Sequence, residues 1–216
     1  MCNIGLCELS PICFYEYYES ISSTNDRVRE LFNEFFVGFD CGGARDGGGG
    51  DGGVFCNDRF PCLIVAGEQV LGRGRGGKRW WSDVGGLMFS LGVELGSDYF
   101  PVCREVLPEF SPVVGGVILD ILRRYILPKD VIELKAPNDV YVNKKKIAGI
   151  LIESPAPNFA IIGIGINVNN SAKNAPEELK QNITSIYDLT GKITDLRTIL
   201  LELVKAIFDK GLYVSA

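Results

Sequence analysis

The stretch 61–68 (PCLIVAGE) is apolar almost without a break. A strand with one wet face alternates apolar and polar residues, so an unbroken run reads as a strand buried inside a sheet. Further strands are read at 12–18, which is β-branched and aromatic, at 86–95 (GLMFSLGVEL), at 131–135, and at 159–168, which carries two glycines. Segments 139–142 and 146–153 flank Asn143-Lys144-Lys145 and read as a hairpin, with Asn143 as the natural turn residue. The polar cluster Ser22-Ser23-Thr24-Asn25-Asp26 offers N-caps before Val28, Leu31, Phe32, Phe35 and Phe36, which recur at helical spacing. Ser111-Pro112 reads as the start of a second helix running to about Tyr125, and 195–210 reads as a last one. Strands dominate the middle and helices flank them. The expected class is α/β (α+β), a mixed central β-sheet flanked by helices, and 216 residues suit a single domain. The tract 42–53 (GGARDGGGGDGG) breaks the pattern and is read as a flexible surface loop.

Composition removes several chemistries. The chain has no histidine, so Ser-His-Asp and Cys-His catalysis are excluded within it. Lys, Arg, Asp, Glu, backbone N–H groups or a substrate-borne metal are left to act. Lys plus Arg number 22 and Asp plus Glu 27, a net charge of −5, which argues against a general nucleic-acid binder. The seven cysteines contain no CxxC pair and are odd in number, so they are read as small buried hydrophobes of a reducing compartment. The first twenty residues lack a basic segment and carry Glu8 and Pro11, unlike a signal peptide, and no apolar run is long enough for a bilayer. A cytoplasmic protein with no membrane partner is expected.

Three strings carry chemistry. The run Gly72-Arg73-Gly74-Arg75-Gly76-Gly77-Lys78-Arg79-Trp80 joins two apolar strands. Its glycines let backbone N–H groups approach a ligand, its cations suit carboxylate or phosphate oxygens, and Trp80 suits an aromatic ring. A Gly/Arg run is also compatible with an RNA-binding box or a solvated loop, although RNA boxes come as longer repeats. The second string is Lys135-Ala136-Pro137-Asn138-Asp139, followed by 144–153 (KKKIAGILIE). Lys144 and Lys145 read as a charged turn. Lys146 precedes Ile147-Ala148-Gly149, which draws it toward the core, where it needs an anionic partner. The third string is 163–169 (GIGINVN). Glycine inside a strand marks close approach of a ligand or of another backbone, and close packing alone accounts for it.

In this order, GRGRGG-K-x-W, KAPND with KKIAGILIE, and GIGINVN resemble the biotin–protein ligase family, as do Ser23-Thr24-Asn25 and Gln69. The resemblance covers roughly residues 12–210. It implies a fold like the catalytic domain of class II aminoacyl-tRNA synthetases and the biotin and lipoate ligases. It also implies ATP and biotin as substrates with Mg²⁺, a biotin carboxyl carrier domain as partner, and a homodimer. Carried over, Ser23, Thr24, Asn25, Gln69, Gly72, Arg73, Gly74, Arg75 and Lys146 would contact biotin. Gly149, Gly163 and Gly165 would clear space for its valeryl chain. Arg75, Lys78, Trp80, Asn138, Lys146 and Asn167 would lie toward ATP. Lys146, Arg73 and Asp139 would be catalytic, with Asp139 holding Mg²⁺ or orienting Lys146. No N-terminal helix-turn-helix and no C-terminal small barrel are expected in 1–216, hence no DNA partner. Ala136, where the family carries an aromatic, and Gly76, where it carries a cation, depart from the pattern. Alternatives are a lipoate–protein ligase, a non-catalytic nucleotide or RNA-binding module, and a biotin-binding relative with poor turnover.

Overall fold

The structure, a computed structural model, describes residues 8–37 and 59–214. Seven strands form one mixed sheet: β1 (Phe14–Ile21), β2 (Cys62–Gln69), β3 (Leu87–Glu94), β4 (Ile132–Lys135), β5 (Asp139–Val142), β6 (Lys145–Ala156) and β7 (Phe159–Ile166). Their order is β1-β2-β3-β7-β6-β5-β4. β1 and β2 run parallel, and every other neighbouring pair is antiparallel. The expected mixed sheet flanked by helices is therefore present. The expected flexible tract 42–53 lies outside the described residues.

Both faces of the sheet are covered, which explains the unbroken apolar runs. Helices α2 (Leu107–Leu122) and α5 (Leu196–Val214) pack on one face, joining Phe110, Ile118, Leu203 and Ile207 to Leu63, Val65, Leu91, Ile162 and Ile164. Helix α1 (Thr24–Phe32) packs on the other, where Val28, Leu31 and Phe32 meet Cys62, Ile64, Phe159 and Ile161. Adjacent strand residues point to opposite faces. Hence Ile161 on the α1 face places Gly163 and Gly165 on that face too. The cross-strand register adds Met88 and Ser90 of β3 and Gly149, Leu151 and Glu153 of β6. Helix α1 covers only part of this face, and the glycines lie where the rest is open to form a trough.

Local expectations mostly hold. Asn143 and Lys144 form a two-residue hairpin turn with φ of 50° and 67°, the left-handed geometry such turns require. Strand β6 begins at Lys145, one residue earlier than expected, and runs past Glu153 to Ala156 through a register shift. Helix α2 corrects the expectation of a start at Ser111. It begins at Leu107 because Leu107 and Phe110 are buried and Pro108 occupies its first turn, while Pro112 lies inside it. Two short helices, α3 (Glu177–Lys180) and α4 (Ile186–Thr190), were not expected. Among the described cysteines Cys62 is buried, Cys13 half-buried and Cys103 exposed. The burial expected of the cysteines thus fails at Cys103, which precedes α2 on the surface. Burial pushes the Cys62 thiol up to about 12. No helix among the described residues is long and apolar enough to cross a membrane.

Candidate active site

A cavity of about 490 Å³ opens over the glycines of β6 and β7. Ser23, Thr24, Asn25, Gln69, Arg73, Gly74, Arg75, Lys78, Trp80, Asn138, Asp139, Lys146, Gly149, Gly163, Gly165 and Asn167 all line it. Of the expected residues only Gly72 does not. A Cβ at Gly72 would sit 3.0 Å from the Trp80 carbonyl oxygen, so this glycine serves the folding of its own loop.

That loop is a small closed hairpin. The Trp80 N–H donates to the Gly72 carbonyl at 2.9 Å, and the Gly74 N–H donates to that of Lys78 at 2.6 Å. Gly76 and Gly77 turn it with φ of 68° and 76°, a conformation that disfavours the side chain a cation would bring. The loop folds Arg73 back toward α1. Its guanidinium lies 2.6 Å from Asp26 Oδ2 and 3.1 Å from Glu153 Oε2. The hydrogen bond to Asp26, with the Glu153 charge, outweighs burial and raises the Arg73 pKa further. Arg75 and Lys78 are exposed, and among the described residues neither has an ion-pair partner. They are free to meet an anion.

At one end of the trough the polar groups are fixed by each other. Ser23 is the N-cap of α1, its oxygen accepting from the Asp26 N–H. The Gln69 side-chain oxygen accepts from the Thr24 N–H at 2.7 Å, leaving the Gln69 amide nitrogen as a donor. The Ser90 hydroxyl donates to Asn25 Oδ1 at 2.6 Å and lies 2.6 Å from the Thr24 hydroxyl oxygen. Asn25 Nδ2 donates to Glu153 Oε2 at 2.7 Å. What remains for a ligand is the Ser23 O–H and Gln69 N–H donors and a lone pair on Asn25 Oδ1. Such a set fits a head group carrying both a carbonyl and N–H groups.

The middle of the trough is apolar. A Cβ at Gly165 would stand 2.6 Å from the Trp80 indole and one at Gly149 3.0 Å from it, while one at Gly163 would strike the Asn25 amide. In this structure the space cleared by these glycines is thus taken by Trp80 and Asn25, where a ligand chain had been expected. Gly163 and Gly165 stand two residues apart, roughly 7 Å along the strand.

The far end is cationic. Lys146 Nζ lies 2.7 Å from Asp139 Oδ1 and 5.4 Å from the Trp80 ring centre. The Lys146 main chain is held independently, pairing with Asn182 and Thr184 just beyond α3. Asn138 is pinned to Ile150 through both its backbone and its amide, and buried Asn167 accepts from Asn170. Of the two roles expected of Asp139, the geometry favours orienting Lys146. Among the described residues no group of three metal-ligating side chains occurs, and Asp139 is the one carboxylate that lines the cavity. That set does not fit a resident Mg²⁺, which takes several oxygens in octahedral array.

Sequence reasoning missed Ser90, Asp26 and Glu153. Ser90 was legible as the polar residue inside a buried run, since a buried hydroxyl must find a partner. Glu153 lies four residues after Gly149, on the same strand face. Leu179 and Ile183, which complete the cavity wall, gave no signal in the sequence.

Fold and cavity define an α/β domain with a trough lined by fixed polar groups at one end and by Lys146 at the other. Residues 59–169 match the profile of the biotin/lipoate A/B protein ligase family. Over 200 residues the chain is 32% identical to the bifunctional ligase/repressor BirA of Bacillus subtilis, covering 90% of this chain and 52% of that protein. It is 33% identical over 147 residues to the biotin–[acetyl-CoA-carboxylase] ligase of Mycobacterium tuberculosis, covering 67% of this chain and 52% of that one. The biotin protein ligase of Aquifex aeolicus, solved with biotin and ATP, superposes with a TM-score of 0.66 at 32% identity. That match covers 92% of this chain and 70% of the other. The chain belongs to the biotin/lipoate A/B protein ligase family, and the relatives it resembles within that family are biotin protein ligases. It spans about half the length of the curated relatives it matches (52%).

Proposed function

We propose that this chain carries the catalytic domain of an ATP-dependent biotin ligase, which forms biotinyl-5′-AMP and transfers biotin to a lysine of a biotin carboxyl carrier domain. The observation that carries the reading is the order along the trough: Ser23, Asn25 and Gln69, then Trp80 over paired glycines, then Lys146. Biotin has that order too, with a ureido ring, an aliphatic chain and a carboxylate.

In the first step a biotin carboxylate oxygen attacks the α-phosphorus of ATP, and pyrophosphate leaves with the bonding electrons. Two anions must meet, and their repulsion is largest in a cavity that excludes water. Lys146, Arg73, Arg75 and Lys78 offset it, with Mg²⁺ arriving on the nucleotide. Asp139 holds the Lys146 ammonium in place until the acid displaces it. Trp80, Asn138 and Asn167 flank the nucleotide. In the second step the carrier lysine, as free amine, attacks the acyl carbon, and AMP leaves. The hairpin 72–80 shields the anhydride from water between the steps. A cytoplasmic location and a homodimer belong to the same proposal.

Titration calorimetry with biotin and with lipoate tests the reading. Biotin binding at least a hundredfold tighter than lipoate supports it. Equal or reversed affinities point to a lipoate ligase and overturn it.

A further inference from the structure

Glu153 does not line the cavity, yet it is bonded to two side chains that do, Asn25 and Arg73. Its Oε2 accepts from Asn25 Nδ2 at 2.7 Å and from the Arg73 guanidinium at 3.1 Å. Its Oε1 lies 3.2 Å from Arg29 of α1. The side chain is 24% exposed, so the charge is partly shielded from solvent. An amide side chain can present either its oxygen or its nitrogen to a ligand. With Ser90 on its oxygen and a carboxylate on its nitrogen, Asn25 has no choice: Oδ1 alone is left to accept. The same carboxylate, with Asp26, grips Arg73 from two sides and fixes a cation that would otherwise swing on a flexible stem.

Resting on the biotin-ligase reading, we infer that Glu153 is a positioning residue with two separable duties. It sets the orientation of the Asn25 amide, which selects a ligand with an N–H at that end. It also preorganises Arg73 for the charge developing during adenylate formation. Preorganised donors cost no reorganisation at the moment of reaction, so the second duty belongs to kcat and the first to KM.

Biotin-dependent ATP–pyrophosphate exchange on the full chain separates them. Glu153→Ala removes both duties; KM for biotin rises at least fivefold and kcat falls at least fivefold. Glu153→Gln keeps an oxygen for Asn25 and loses the charge that holds Arg73. KM returns to within twofold of the parent while kcat stays low. Asp26→Asn frees Arg73 from its other side without touching the Asn25 side chain, and lowers kcat with KM unchanged. A Glu153→Gln protein that matches Glu153→Ala in KM, or the parent in kcat, overturns the inference. So does an Asp26→Asn protein whose KM rises. If the parent exchanges normally and all three variants equal it, only this inference falls. A parent without biotin-dependent exchange removes the ligase reading as well.

Discussion

At Lys146 two pulls act on one ammonium. Asp139 holds it 2.7 Å away, and the Trp80 ring lies 5.4 Å beneath it. The ammonium is 27% exposed and ion-paired, so an incoming anion must share it with Asp139 or displace that carboxylate. The residue was legible because Ile147-Ala148-Gly149 follows it directly. Its partner was legible as a carboxylate one strand away, although Tyr141 is the residue paired opposite Lys146 and Asp139 the one opposite Gly149. Replacing Lys146 by Ala removes the cation that the proposed mechanism sets nearest the reacting acid. Adenylate formation should fall at least about a hundredfold. The unfolding temperature should stay close to that of the parent, because the backbone bonds to Asn182 and Thr184 do not depend on the side chain. Trapping the activated acid with hydroxylamine measures the loss, and near-parental trapping would remove Lys146 from the mechanism. Ser90 and Glu153 escaped notice for a different reason. Their importance lies in what they hold, and partners 65 and 128 positions away in sequence are invisible without the fold.

Among elements, β6 and β7 make the site by lacking side chains. Gly149 and Gly165 are directly paired, and the Trp80 indole lies on both. The glycines were visible in the sequence, but what fills the space above them was not, since the hairpin that carries Trp80 is placed by tertiary contacts. A methyl group at Gly165 would press into a rigid ring at 2.6 Å, which cannot yield as a flexible side-chain end does. Gly165→Ala should therefore move Trp80, shift tryptophan emission and weaken biotin binding about tenfold, or about 1.4 kcal/mol. Unchanged emission together with unchanged affinity would show that the indole does not depend on this glycine. The central strands β2, β3 and β7 were readable to within two residues because they are largely buried on both faces, whereas β1 and β6, less buried, each run three residues past their expected ends. Helix α2 was misread at its start because Ser111-Pro112 imitates a cap that burial of Leu107 overrides. Helices α3 and α4 are four and five residues long, too short for a periodic signal.

For the molecule as a whole, one sheet supports both ends of the trough, so the polar head site and Lys146 cannot drift apart without disrupting the core. Strand β1 ends the sheet on one side and β4 on the other. Edge strands are templates for pairing with another chain. The proposed homodimer should sediment at twice the 23.6 kDa chain mass; a species of single mass at working concentration would remove it. The proposed mechanism requires the cationic hairpin and Lys146 to act on one acid bound in one cavity. ATP–pyrophosphate exchange, run with and without biotin, tests it most directly. Exchange should start only when biotin is added and disappear in Lys146→Ala. Exchange that proceeds equally without biotin, or none in its presence, would contradict it.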